Sequence, residues 1–146
     1  MINKANCRNT HSSNGSLASM KTSLATIILA GLLSCQSSKP GFRSVSVDEF
    51  QHLIADSSVI RLDVRTAKEF DEGHIPNAVN IDVLQPDFIR KALSSLPRKR
   101  TIAVNCRSGK RSKKAAELLA KKGYKVVELD TGFNGWLEEG KEVTKE

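Results

Sequence analysis

Thr101-Ile102-Ala103-Val104-Asn105, running into Cys106-Arg107-Ser108-Gly109-Lys110-Arg111-Ser112, is the stretch that decides the fold. The first five residues are a short β-branched run suited to a buried strand. From Ser112 to Lys122, Ala115, Leu118 and Leu119 recur at helical spacing among lysines, so a helix follows. Between strand and helix lies a loop that sets one cysteine beside three cations, Arg107, Lys110 and Arg111. Unpaired N–H groups and the positive dipole end at a helix N-terminus favour an anion and stabilise a thiolate placed there. Cys106 is therefore a candidate nucleophile, and Arg107, Ser108, Gly109, Lys110 and Arg111 are candidate binders of an anionic substrate.

Outward from this loop the same alternation repeats. Phe42-Arg43-Ser44-Val45 reads as a short strand, and Ser46-Val47-Asp48-Glu49 as a capping box opening a helix to Ala55, with Phe50, Leu53 and Ile54 on its apolar face. Val59 to Val64 is a strand, and Thr66-Ala67-Lys68-Glu69 is a second capping box for a short helix ended by Gly73. Ala78 to Val83 suits a strand, Pro86 to Leu96 a helix bounded by prolines, and Lys125 to Leu129 a last, valine-rich strand. Strands alternating with helices at these spacings indicate a parallel sheet with helices on both faces. Such sheets place ligands at the carboxyl ends of their strands, where Cys106 stands.

Upstream, residues 1–19 are polar and rich in Ser and Asn, and Met20-Lys21 precedes an uncharged ten-residue run from Leu24 to Leu33. That order is the order of a secretory signal peptide. The run falls within the ~7–15 residues of a signal core and short of the ~20 that a spanning helix needs. Leu32-Leu33-Ser34-Cys35 resembles the bacterial lipobox, which implies cleavage before Cys35 and lipidation of its sulfur. Gln36 to Gly41 then reads as a tether. The expected organisation is a removed extension and signal over 1–34, a lipidated cysteine and tether over 35–41, a folded domain over 42–141 and a polar tail over 142–146. On that reading the protein is exported to the bacterial periplasm or cell envelope and held to a membrane by lipid. Cys106 is then left without an intramolecular partner in an oxidising compartment, which marks it as a reactive thiol.

Three linked motifs, in order, carry a family resemblance. Leu62-Asp63-Val64-Arg65-Thr66 with Glu69-Phe70 and Gly73-His74-Ile75-Pro76-Asn77-Ala78-Val79-Asn80-Ile81 is the first, Cys106 to Ser112 the second, and Gly132-Phe133-Asn134-Gly135-Trp136 the third. Together they resemble the signature segments of rhodanese domains, single-domain sulfurtransferases, over roughly 42–140. The resemblance implies a three-layer α/β/α fold around a central parallel sheet. It also implies a ping-pong cycle in which Cys106 takes sulfur from thiosulfate as a persulfide and passes it to a thiol or other thiophilic acceptor. No cofactor and no metal are expected, and the domain is expected as a monomer. Asp63, Arg65 and Glu69 are expected as structural support, Asp63 accepting bonds near the loop and Arg65 pairing with Glu69. Trp136 suits a core plug, and His74 a hydrogen bonder in a turn rather than a catalyst.

Charge and composition narrow the alternatives. The formal charge is +7, but Lys4, Arg8 and Lys21 precede Cys35 with no acidic residue, leaving 20 basic residues against 16 acidic ones in the rest. With aromatics at 5% and the basic residues spread among acidic ones, the pattern argues against nucleic-acid binding. A cysteine-dependent phosphatase is the nearest rival, but its loop sets five residues between Cys and Arg, and here four separate Cys106 from Arg111. A non-catalytic binding or sensing module is the third reading, and the presence of the cysteine speaks against it.

Overall fold

Five strands and five helices alternate along residues 41–145, the part that the computed structural model describes. They are β1 (Arg43–Val45), α1 (Val47–Ile54), β2 (Ile60–Asp63), α2 (Ala67–Asp71), β3 (Val79–Asn80), α3 (Phe88–Ser95), β4 (Ile102–Asn105), α4 (Lys110–Lys121), β5 (Val126–Leu129) and α5 (Gly132–Glu138). The expected signal segment, Cys35 and nearly all of the tether lie outside the described residues.

The strands form one sheet in the order β1-β5-β4-β2-β3, every neighbouring pair parallel. The register aligns Leu62 with Val104 and Val104 with Glu128. Because side chains alternate along a strand, Leu62, Ile102, Val104 and Val126 face one way and pack with Phe88, Ala92, Ala115 and Leu119 from α3 and α4. Val45, Ala103, Val127 and Leu129 face the other way, against Val47, Phe50, Ile54, Phe133 and Trp136 from α1 and α5. The expected three-layer architecture is therefore the observed one. Burial of each large apolar side chain, such as Phe50, Leu62 or Leu119, contributes about 1.5–3 kcal/mol.

Local chemistry explains where the elements start. Thr66 makes the full capping box, its hydroxyl accepting from Glu69 N while the Glu69 carboxylate accepts from Thr66 N. At α1 only half of the expected box forms. Ser46 Oγ accepts from Glu49 N, whereas the Glu49 carboxylate is drawn to Arg43. The strand expected over 78–83 pairs only at Val79–Asn80, at the sheet edge. Helix α5, unforeseen from sequence, forms within the Gly132 to Trp136 motif. Its Trp136 is 2% exposed, meets Phe50 edge-on and donates from Nε1 to Glu142 O, consistent with a core plug. Residues 142–144 are not a loose tail, since Thr144 and His74 exchange backbone hydrogen bonds of 2.9 and 3.0 Å.

One buried ion pair ties the carboxyl ends of the strands together. Asp63 at the end of β2 accepts from Arg65 N, Nε and Nη2 at 2.7–3.0 Å, with both residues almost wholly buried. Arg65 pairs here, and not with Glu69 as the sequence suggested, because the carboxylate two residues away already meets its guanidinium. Nη2 also donates to Gly73 O, and the guanidinium lies 4.0 Å from the centre of the Phe133 ring. Arg65→Met should therefore leave Asp63 buried without its cation and lower the unfolding free energy by about 3–5 kcal/mol. Urea denaturation checks this, and a loss below about 1 kcal/mol would contradict it.

Candidate active site

Cys106 follows directly on β4 and is 1% exposed. Four residues later α4 begins at Lys110, two residues earlier than the lysine-rich periodicity suggested. Lys110 and Arg111 thus occupy a helix's first turn, where cations oppose the dipole and where this helix carries no acidic residue. Two glycines make the loop possible. Gly109 caps α4 at φ +88°, and a Cβ on it would sit 2.0 Å from Asp130 O. Gly132 has φ +62°, and a Cβ there would sit 2.7 Å from Cys106 O, Arg107 C and Ser108 N. The start of α5 therefore presses on the loop backbone, and Phe133 N and Asn134 N donate to Cys106 O and Arg107 O at 2.7 and 2.9 Å. With these carbonyls engaged, none of the backbone N–H groups from Arg107 to Ser112 has an acceptor among the described residues. A run of free donors at a helix N-terminus is an anion cradle.

Charge around the sulfur is arranged by ion pairs. Arg111 donates from Nη1 and Nη2 to the two oxygens of Glu69 at 2.8 and 2.7 Å, so the N3 residue of α2 also anchors α4. The Arg111 bonds hold the Glu69 carboxyl down at about 2, against a partial opposing effect of burial, with Thr66 assisting. Glu69 in turn raises Arg111, which burial opposes, and the charge of Cys106 adds to the rise. Lys113 is raised by its bond to Asp130, with lesser contributions from Glu128 and Cys106. Arg107, Ser108 and Lys110 are exposed at the mouth. Beside them a pocket of about 290 Å³ is lined by Glu69, Arg107, Phe133 and Asn134. A larger cavity, about 650 Å³ and lined by Phe42, Leu53 and Lys125, opens at the amino ends of the strands, away from Cys106.

Ser112, the last residue of the loop motif, stands next to the sulfur, and behind it lies Glu128, which sequence reasoning passed over. Ser112 Oγ lies 3.4 Å from Cys106 Sγ, 2.9 Å from Gly109 O and 2.6 Å from Glu128 Oε1. Ser44 Oγ donates to Glu128 Oε2 at 2.6 Å, and Glu128 is fully buried. The available signal was a single carboxylate inside Val126–Leu129, a strand otherwise apolar on both faces. His74 behaves as expected of a turn hydrogen bonder, with Nδ1 2.9 Å from Phe70 O and its ring stacked on Phe70 at 3.6 Å.

The Glu69–Arg111 link has a pH signature. A carboxyl held at about 2 when folded, against 4.5 ordinarily, adds stability that is fully present above about pH 4.5 and is lost as pH falls towards 2. Glu69→Gln should accordingly be less stable than the parent by about 1–3 kcal/mol between pH 6 and 8, and the gap should close on acidification. Thermal melts of both proteins from pH 2 to 8 test it. A gap independent of pH would refute the assignment.

The model of the rhodanese-like domain matches residues 46–139. A sulfurtransferase of Allochromatium vinosum is 33% identical over 91 residues, covering 62% of this chain and 82% of its own. The thiosulfate sulfurtransferase GlpE of Shewanella oneidensis is 31% identical over 98 residues, 66% of this chain and 94% of its own. Among solved structures, a rhodanese-related protein of Thermoplasma volcanium superposes with a TM-score of 0.64 at 32% identity, covering 72% of this chain and all of that one. With the family model spanning most of the described fold and relatives of this kind, the chain belongs to the rhodanese-like domain family.

Proposed function

We propose that this protein is a sulfurtransferase that moves sulfane sulfur from thiosulfate, or a similar anionic donor, to a thiophilic acceptor through a persulfide on Cys106. The observation that carries the reading is the position of Cys106 at the head of a loop whose backbone N–H groups from Arg107 to Ser112 have no acceptor among the described residues, with Arg107 and Lys110 exposed beside it. Relatives named as sulfurtransferases support it.

In the first half-reaction the Cys106 thiolate attacks the outer sulfur of thiosulfate. A new S–S bond forms, the S–S bond of thiosulfate breaks, and sulfite leaves with the electron pair. In the second, the acceptor attacks the outer persulfide sulfur and Cys106 departs as thiolate. The free donors receive the anionic donor and then the outer sulfur of the persulfide, and Arg107 and Lys110 draw the donor in. Phosphoryl transfer fits less well. Four residues separate Cys106 from Arg111, and both Arg111 terminal nitrogens are engaged by Glu69, leaving no free fork for a phosphoryl group.

Incubation with thiosulfate should add one sulfur to the intact mass, and a thiol should remove it. Cys106→Ser should abolish the addition and reduce sulfite release at least ~10³-fold while the protein still melts cooperatively. Aryl phosphate hydrolysis by the parent exceeding its sulfur transfer would reverse the reading.

The same proposal places the domain outside the cytoplasm on a lipidated Cys35, since Ser34-Cys35 follows the uncharged run Leu24 to Leu33. The exported protein should partition with membranes, and Cys35→Ala should release it or block its processing. An unmodified Cys35 in the mature protein, seen by mass spectrometry, would remove the anchor from the proposal.

A further inference from the structure

A buried carboxylate that shares one serine hydroxyl with a candidate nucleophilic sulfur calls for explanation, because like charges linked so closely repel. Glu128 lies on β5, facing α4, at a position where the neighbouring strand carries Val104. Its Oε2 is held by Ser44 from β1, and its Oε1 lies 2.6 Å from Ser112 Oγ. Ser112 belongs to the first turn of α4, and its Oγ is 3.4 Å from Cys106 Sγ. Nothing in the fold demands an acid here. An apolar residue would continue the run of Val126 and Val127.

Ser112 has one proton and three acceptors within reach: Glu128 Oε1, Gly109 O and Cys106 Sγ. While Glu128 is ionised, the charge-assisted 2.6 Å contact takes that proton and turns an oxygen lone pair towards the sulfur. The thiol can then donate to Ser112. If the thiol proton passes to Ser112 Oγ as the Ser112 proton passes to Glu128 Oε1, the products are a thiolate, a neutral serine and a neutral carboxylic acid. In that state the acid donates to Ser112, and Ser112 donates to the thiolate. The site carries one negative charge throughout, moved from carboxylate to sulfur.

We propose that Glu128 is a positioning residue that activates Cys106 through Ser112, acting as the terminal proton acceptor of a Cys106–Ser112–Glu128 relay. It rests on the reading of Cys106 as the nucleophile and goes beyond it in naming where the thiol proton goes. When the persulfide is discharged and Cys106 leaves as thiolate, the proton returns by the same path, so the relay resets with no other reactant. The charged groups around it are Lys113, held by Asp130, and Arg111, held by Glu69. Both are cations restrained by carboxylates, so they temper the single negative charge without fixing it on either site.

The test follows alkylation of Cys106 by iodoacetamide in the full protein from pH 6 to 10, read by mass spectrometry of the Cys106 peptide. Glu128→Gln keeps the size and hydrogen-bonding capacity of the side chain but cannot accept the proton. Its alkylation at pH 7 should fall about tenfold or more, and should match the parent at pH 10, where hydroxide removes the thiol proton without the relay. Ser112→Ala breaks the relay at its middle and should show the same loss at pH 7 and the same recovery at pH 10. The double variant should be no slower than either single one, because both interrupt a single path. Sulfite release from thiosulfate at pH 7 is measured alongside. If the parent alkylates as described but releases no sulfite, the sulfurtransferase reading falls and the relay stands. Alkylation at pH 7 unchanged in a folded Glu128→Gln overturns the relay. Should Glu128→Gln fail to fold, unchanged alkylation in Ser112→Ala overturns it equally.

Discussion

The structure turns on the ion pair of Asp63 and Arg65, because this pair sits where the strands end and the chemistry begins. Burying two opposite charges is unfavourable unless every hydrogen-bonding valence is filled. Here Asp63 accepts from Arg65 at both side chain and backbone, and Arg65 reaches on to Gly73 O and over the Phe133 ring. Asn80 closes the arrangement by donating to the backbone oxygens of both Asp63 and Arg65. One pair thus joins β2, the edge strand β3, the turn before His74 and the start of α5. Since α5 in turn braces the loop backbone through Phe133 N and Asn134 N, the shape of the loop depends on a contact that never touches the sulfur.

Around the loop, the ordinary preferences of helices are reversed. A first turn normally carries acids, as α1 does with Asp48 and Glu49 and α2 does with Glu69. Helix α4 instead begins with Lys110 and Arg111, which adds positive charge to a terminus that is already positive. Departures of this kind concentrate at functional sites, where the opposing charge is supplied by what binds. Glu69 offsets part of the charge at Arg111 and Asp130 at Lys113, while Arg107 and Lys110 stay exposed.

The short elements of this chain show how far local pattern reaches. The Thr66 capping box was legible because its two partners lie three residues apart and satisfy each other whatever the rest of the chain does. The five strands and four of the helices were legible through apolar runs, capping boxes and bounding prolines, and the candidate site stood out because a cysteine among cations is poor core material. Helix α5 was not. Its two glycines weigh against a helix, and it forms because Gly132 alone tolerates the close approach to Cys106 O while Phe133 and Trp136 find the core beneath.

The residues by themselves determined the alternation of strand and helix and the parallel sheet that follows from it, and they singled out Cys106 as the candidate nucleophile. These rest on local periodicity and on side-chain chemistry, both carried by near neighbours in the chain. Only the tertiary structure decided which charges meet. Arg65 found Asp63 two residues away, whereas Glu69 found Arg111 across 42 residues of sequence and Ser44 found Glu128 across 84. Such partners are set by which strands lie side by side and which helix covers them. A charge can be read from the sequence, but the field it meets depends on neighbours that only folding brings near.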